Sequence, residues 1–386
     1  MTINDLPTPF YAVYESRLRA NLELISRVAR ESGAEIIMAF KANALWRTFD
    51  IVAEYCRNST ASSLNELRLG LEFLKGDVHS YCPAYTDDTI DEYLAGSSHI
   101  TFNSVSQYLR FADRVREYNS RACKEGRRGV SPGLRVNPKC SVIETDIYNP
   151  ALPGSRFGVS AQALAGGLPE GIEGLHFHAL CESTSYDLEK VLTAFEEQFG
   201  HLFDSGGVKW VNMGGGHLMT RDGYDTGHLV GLLRGFKRRH PGVKVILEPG
   251  SAFTWRTGDL ITSVVDTVEN DGVRTAIVDV SFACHMPDTL EMPYKPVITE
   301  SLDTGGIPYR LGGNSCLSGD FMGDWNFARP LEPGDRLTLE DMNHYTNVKT
   351  TMFNGIRHPS VVLVRADGSC EILREYTYED YKSRMC

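Results

Sequence analysis

Between about residues 35 and 250, short runs of apolar and β-branched residues alternate with stretches whose apolar positions recur every three or four residues. The first pattern suits strands buried on both faces and the second suits amphipathic helices, so their alternation predicts parallel strands joined by crossover helices. Eight strand candidates fall at 35–41, 59–63, 78–83, 98–103, 133–137, 172–178, 208–213 and 243–248, with helical spacing at 186–203 and 224–240 among the intervening segments. Eight βα units in this length predict a (β/α)8 TIM barrel. Beyond Gly250 the chain changes to runs such as TAIVDVSF, DRLTL, SVVLVRA and EILREYTY, separated by Gly, Pro and Asp-Gly turns, which predict a mostly antiparallel β-domain. The expected fold is therefore α/β, a barrel over 10–250 followed by a β-domain over 251–386, with residues 1–9 free to join the second.

Composition narrows the partners. The 386 residues exceed what one core usually organises, in keeping with two domains. A net charge of -11 argues against nucleic acid or an anionic membrane as the main partner. The N-terminal MTINDLPTPFYAVYES has no basic or apolar leader, and no later stretch reaches the roughly 18 apolar residues of a membrane span, so a cytoplasmic protein is expected. Nine cysteines without a C-x-x-C pair disfavour both a disulfide framework and a structural zinc site, and no metal is expected.

In a TIM barrel the active site is built from the C-terminal ends of the strands. Here those ends carry Lys41, Ser62, Asn103, Arg135, Asn137, His178, the glycines Gly214, Gly215 and Gly216, and Glu248. Taken singly, a strand-end lysine is usually a solvated charge, a histidine a satisfied structural residue and a glycine triplet a turn. Together they form a constellation. Glycines after strand seven supply backbone that can close on a phosphate. Lys41 follows the apolar run IIMAF, where desolvation lowers an amine's pKa toward imine-forming reactivity. Glu248 beside a pyridine nitrogen would keep that nitrogen protonated and make the ring an electron sink, and His178 could stack on the ring. In the β-domain, GGNSCLSGD offers the Cys316 thiol as a proton source and Asp320 as an anchor for an amine. Read alone, Cys316 is a packing cysteine.

The motifs FKAN, SSLNE around Glu66, GLRVNP, LHFHALCE, MGGGH, EPG, GGNSCLSGD and HYT occur in an order that resembles the fold-type III pyridoxal-phosphate decarboxylases, which act on ornithine, diaminopimelate or carboxynorspermidine. That resemblance implies pyridoxal 5'-phosphate as cofactor, Lys41 and Cys316 as catalytic residues, and cofactor contacts from Lys41, Arg135, His178, Gly214, Gly215, Gly216, Glu248, Gly250 and Tyr345. It also implies a homodimer in which Cys316 serves the other subunit's site. The stretch CHMPDTLEMPYKP at 284–296, with FHALCE and YTNVKTTMFNG, is similar to the carboxynorspermidine/carboxyspermidine branch, which implies a carboxylated polyamine as substrate. Its amines are expected to meet Asp320, with Asp288 and Glu182 as further candidates. Three positions depart from the wider family: Ser251 after EPG in place of arginine, Cys181 where serine is common, and Leu317 after Cys316 where ornithine decarboxylase has aspartate. A diaminopimelate or ornithine decarboxylase, or an inactive regulatory homologue, remain the alternatives.

Overall fold

The computed structural model describes residues 1–143, 145–204, 206–291 and 294–386. Met292 and Pro293 of the 284–296 stretch therefore lie outside the described residues. The chain forms two compact units, one made of Asn21–Phe253 and the other of Met1–Ala20 with Thr254–Cys386.

The first unit is a TIM barrel. Its parallel strands run in hydrogen-bonded order through Ser59–Ala61, Val78–Tyr81, His99–Phe102, Ser131–Arg135, Gly174–His176, Trp210–Asn212 and Lys244–Leu247. The predicted strand at 35–41 is present as two short pieces, Glu35–Ile36 paired with the last strand and Met38–Ala39 paired with Ser59–Ala61. Successive amides explain the division. Ile37 N–H donates to Leu247 O at 2.9 Å, Met38 N–H to Asn58 O at 3.0 Å and Ala39 N–H to Pro249 O at 3.2 Å. Alternating donors thus reach both neighbours, and the segment closes the barrel as a single strand.

The lower barrel is filled by Trp210. Its indole lies across Gly133 and Gly174, where an added Cβ would come within 2.4 and 1.9 Å of the ring, and its Nε1–H donates to Ser131 Oγ at 2.8 Å. Ile37 and Ile246 pack beside it. The absence of side chains at two neighbouring strands is what lets one large aromatic span the interior. Side-chain caps start the outer helices: Ser104 accepts from Gln107 N–H before Val105–Lys124, Thr184 and Asp187 form a capping box before Ser185–Phe199, and Asp225 accepts from His228 N–H before Thr226–Arg239.

The second unit is a mostly antiparallel eight-stranded sheet. Its central strands are Gly258–Asn270 and Phe10–Tyr14, paired antiparallel, with Ser360–Val364 lying parallel to Phe10–Tyr14 on the other side. The barrel expected from residue 10 begins later, because FYAVY pairs with Gly258–Asn270 and Ser360–Val364 of the sheet. Its apolar side chains complete a core of Leu6, Phe10, Ala12, Ile261 and Val362. Among the described residues, no helix is long and apolar enough to cross a membrane, and no group of three or more His, Cys, Asp and Glu side chains is arranged to hold a metal ion.

Candidate active site

Because the barrel strands are parallel, their C-terminal ends share one rim. Lys41 follows Met38–Ala39 by two residues, Arg135 ends Ser131–Arg135, His178 follows Gly174–His176 by two, Gly214 follows Trp210–Asn212 by two, and Glu248 follows Lys244–Leu247 directly. All five interact. Lys41 keeps contact with solvent, but the protein packed around it, and then the positive charge of Arg135, push its pKa below the ordinary lysine value; Cys181, Glu248 and Glu66 pull it the other way. Glu66 in turn accepts the Ser62 amide at 2.6 Å, and burial raises its carboxyl pKa against the opposing charge of Lys41.

Gly215 N–H donates to His178 Nδ1 at 2.9 Å. Accepting that bond leaves Nε2 to carry the proton of the neutral ring. Burial and the charges of Lys41 and Arg135 hold His178 well below its usual pKa, so the ring is a neutral imidazole in fixed orientation. The glycine loop is built for close approach. Gly214 and Gly216 have φ of +69° and +88°, and a Cβ on Gly214, Gly215 or Gly216 would lie within 2.6 Å of Phe177 O, 2.5 Å of Glu248 O and 2.3 Å of Leu180 backbone. Gly250 is equally tight, its Cβ position being 2.5 Å from Ala42 Cβ. Gly214 N–H is itself bonded to Asn212 Oδ1 at 2.9 Å, so the loop is held tightly between the strand ends beside it.

Glu248 is buried, and burial raises its pKa. Asn212 Nδ2 donates to Glu248 Oε1 at 2.6 Å, Thr60 bonds it too, and His176 Nε2 stands 3.7 Å from Oε2. Arg135 is buried as well. It donates to His178 O at 3.2 Å and lies over the rings of Tyr81 and Phe157 at 4.7 and 4.3 Å. Thr60, Tyr81, His176 and Asn212 were not singled out from sequence. Inward alternation supplied a signal, since His176 precedes His178 by two and Asn212 precedes Gly214 by two.

The remaining candidates belong to the sheet unit, apart from Glu182, which follows Cys181 in the barrel unit and has φ +46°. Tyr345 is the centre of a tight turn closed by Thr346 N–H to His344 O at 2.5 Å, with φ 52° and ψ -47°, a strained geometry of the kind retained at functional positions. Cys316 is exposed, and its amide donates to Asn354 Oδ1 at 2.9 Å. Asp320 is buried and internally bonded. Asp288 accepts from Lys349 Nζ at 2.7 Å, and Glu291 bonds the same ammonium. Ser251, one of the departures, opens the short helix Ser251–Thr254.

A family model described as pyridoxal-dependent decarboxylase, C-terminal sheet domain, matches residues 13–343. The chain belongs to the pyridoxal-dependent decarboxylases. Its relatives in this family extend over the full length. It is 43% identical over 385 residues to the carboxyaminopropylagmatine decarboxylase of Synechocystis sp., covering 99% of this chain and 96% of that protein. It is 39% identical over 397 residues to the carboxynorspermidine/carboxyspermidine decarboxylase of Campylobacter jejuni, covering 100% of each. Among solved structures, carboxynorspermidine decarboxylase from Campylobacter jejuni, crystallised with norspermidine, matches with a TM-score of 0.88 at 38% identity, covering 98% of this chain and 100% of that one. The family resemblance read from FKAN to HYT, the barrel-plus-sheet fold and the decarboxylase class are thereby borne out.

Proposed function

We propose that this decarboxylase uses pyridoxal 5'-phosphate to remove the α-carboxylate of carboxynorspermidine or carboxyspermidine, giving norspermidine or spermidine. The observation that carries the reading is the Gly215–His178 bond, which ties the close-packed glycine loop to a flat neutral ring on the rim that also holds Lys41 and Glu248. These residues fit the cofactor: close-packed glycine backbone for its phosphate, an accessible amine of lowered pKa for its aldehyde, and a buried carboxyl for its ring nitrogen.

When bound, pyridoxal phosphate supplies an electron sink for the carbon that loses carbon dioxide. Lys41, whose pKa is lowered by the packing around it and by Arg135, would offer its amine for attachment. Glu248, oriented by Asn212 and Thr60, is the residue that would keep the ring nitrogen protonated. His178 would present its face for stacking, and Arg135 and Gly250 on the same barrel rim would contact the cofactor beside it. Cys316 holds a proton at Sγ for return to the carbon.

A homodimer with shared sites belongs to the same proposal. Cys316 is exposed together with Leu317, Phe321 and Phe353, an apolar surround suited to cover by a second subunit. The net charge of -11 suits a cationic substrate.

A second reading rests on the 43% identical Synechocystis relative, whose name describes a substrate ending in the guanidinium of agmatine. Decarboxylation assays in parallel with carboxynorspermidine, carboxyspermidine, carboxyaminopropylagmatine, meso-diaminopimelate and ornithine separate the possibilities. The proposal expects kcat/KM for the first two to exceed that for the last two by at least about 100-fold. Preference for carboxyaminopropylagmatine selects the second reading, and preference for ornithine or diaminopimelate overturns both.

A further inference from the structure

The loop that carries Cys316 is fastened from beneath by one carboxylate. Asp320 is 4% exposed. Its Oδ1 accepts the Ala283 amide at 2.9 Å, and its Oδ2 accepts both the Ser315 amide at 3.2 Å and the Ser315 hydroxyl at 2.6 Å. Its backbone closes the same loop, since Gly313 N–H donates to Asp320 O at 2.7 Å and Asp320 N–H donates to Leu317 O at 2.9 Å. A Cβ on Gly313 would fall 2.3 to 2.7 Å from the Asp320 carboxyl atoms, so the loop backbone rests directly on the carboxylate. The Ser315 hydroxyl also accepts Leu317 N–H at 3.3 Å, and Cys316 N–H is held by Asn354 Oδ1. Every residue flanking the thiol is thus bonded, directly or through Ser315, to Asp320.

We infer that Asp320 is a positioning residue for the Cys316 thiol, fixing the loop from Gly313 to Leu317 against the short helix Phe282–His285, and not an anchor for a substrate amine. Three donors from the protein occupy the carboxylate and it is almost fully buried, so a substrate ammonium would have to compete with bonds that hold the loop. This inference rests on the proposed role of Cys316 as proton source. The two are separable because the loop's geometry can be read from thiol chemistry without turnover.

The test compares Asp320→Asn, Ser315→Ala and Cys316→Ala with the wild-type holoenzyme. It measures kcat and KM for carboxynorspermidine, the iodoacetamide labelling rate of Cys316 resolved by peptide mass spectrometry, and thermal unfolding. Asp320→Asn should lower kcat about tenfold or more with KM within about twofold, and should change Cys316 labelling severalfold. Ser315→Ala, which removes one donor and leaves the carboxylate in place, should show the same signature more weakly, and it stands in if Asp320→Asn does not fold. A large rise in KM with unchanged kcat and labelling would restore Asp320 as an amine contact and overturn the inference. Unchanged kinetics and labelling in both loop variants would overturn it as well. If Cys316→Ala keeps full kcat, the proton-source role fails, while the labelling rates still decide whether Asp320 holds the loop.

Discussion

The Gly215 amide and the His178 imidazole form one hydrogen-bonded unit, with the peptide N–H donating to Nδ1 at 2.9 Å. The bond makes the position of the ring depend on the glycine loop, and it selects the Nε2–H tautomer of His178.

The same loop has no room for a side chain at Gly215, where a Cβ would meet Glu248 O at 2.5 Å. Gly215→Ala should therefore displace both the glycine loop and His178, weakening cofactor binding by at least about tenfold, which is about 1.4 kcal/mol. Titration of the apoenzyme with pyridoxal phosphate measures this. Gly231→Ala is the control: in the helix Thr226–Arg239 its Cβ meets nothing, and it should leave affinity unchanged while adding about 0.5–1 kcal/mol of stability. Wild-type affinity in Gly215→Ala would remove the loop from the cofactor site.

Acid should destabilise the protein through its buried imidazoles. Burial lowers His99 to about 3, His217 to about 4 and His285 to about 3, and it holds His79 and His176 well below the usual value. These groups stay neutral in the fold, whereas unfolded histidine binds a proton below its ordinary pKa of about 6.5. Between that value and the folded pKa the unfolded state carries more protons, so stability falls as pH falls, by up to about 1.4 kcal/mol per pH unit for each group. Glu248 and Glu66, raised by burial, act in the opposite sense but are fewer. Urea unfolding at pH 7 and pH 5 should show a clear loss at pH 5, reduced in His99→Phe. A flat profile would mean that these rings are not neutral and buried.

Shared sites predict complementation. Lys41→Ala and Cys316→Ala chains should each be nearly inactive, and refolding an equal mixture should give about half heterodimers by random pairing. Each heterodimer would hold one site with neither substitution, so activity should recover to about a quarter of wild type per chain. No recovery despite demonstrated subunit exchange would assign both residues to the same subunit's site.

The barrel was legible because its strands are local apolar runs, and its rim was legible because Lys41, His178 and Glu248 each end one. Three things were not. FYAVY looks like any buried strand, and its partners Gly258–Asn270 and Ser360–Val364 lie some hundreds of residues away, beyond any periodicity argument. The polar support beneath the rim, His176 and Asn212, differs from packing residues only by which face of the strand it occupies. Asp320 in an SGD motif reads as an available charge, and only tertiary structure shows Ala283, 37 residues upstream, donating to it.

The proposed chemistry requires Lys41 to hold the cofactor. Borohydride treatment of the holoenzyme, followed by proteolysis and mass spectrometry, reads this directly by trapping pyridoxyl on the lysine to which it is attached. The adduct should lie on the peptide containing Lys41 and be absent from Lys41→Ala, which should stay folded because a solvent-contacting lysine contributes little packing. An adduct on any other lysine, or none in protein that decarboxylates carboxynorspermidine, would contradict it.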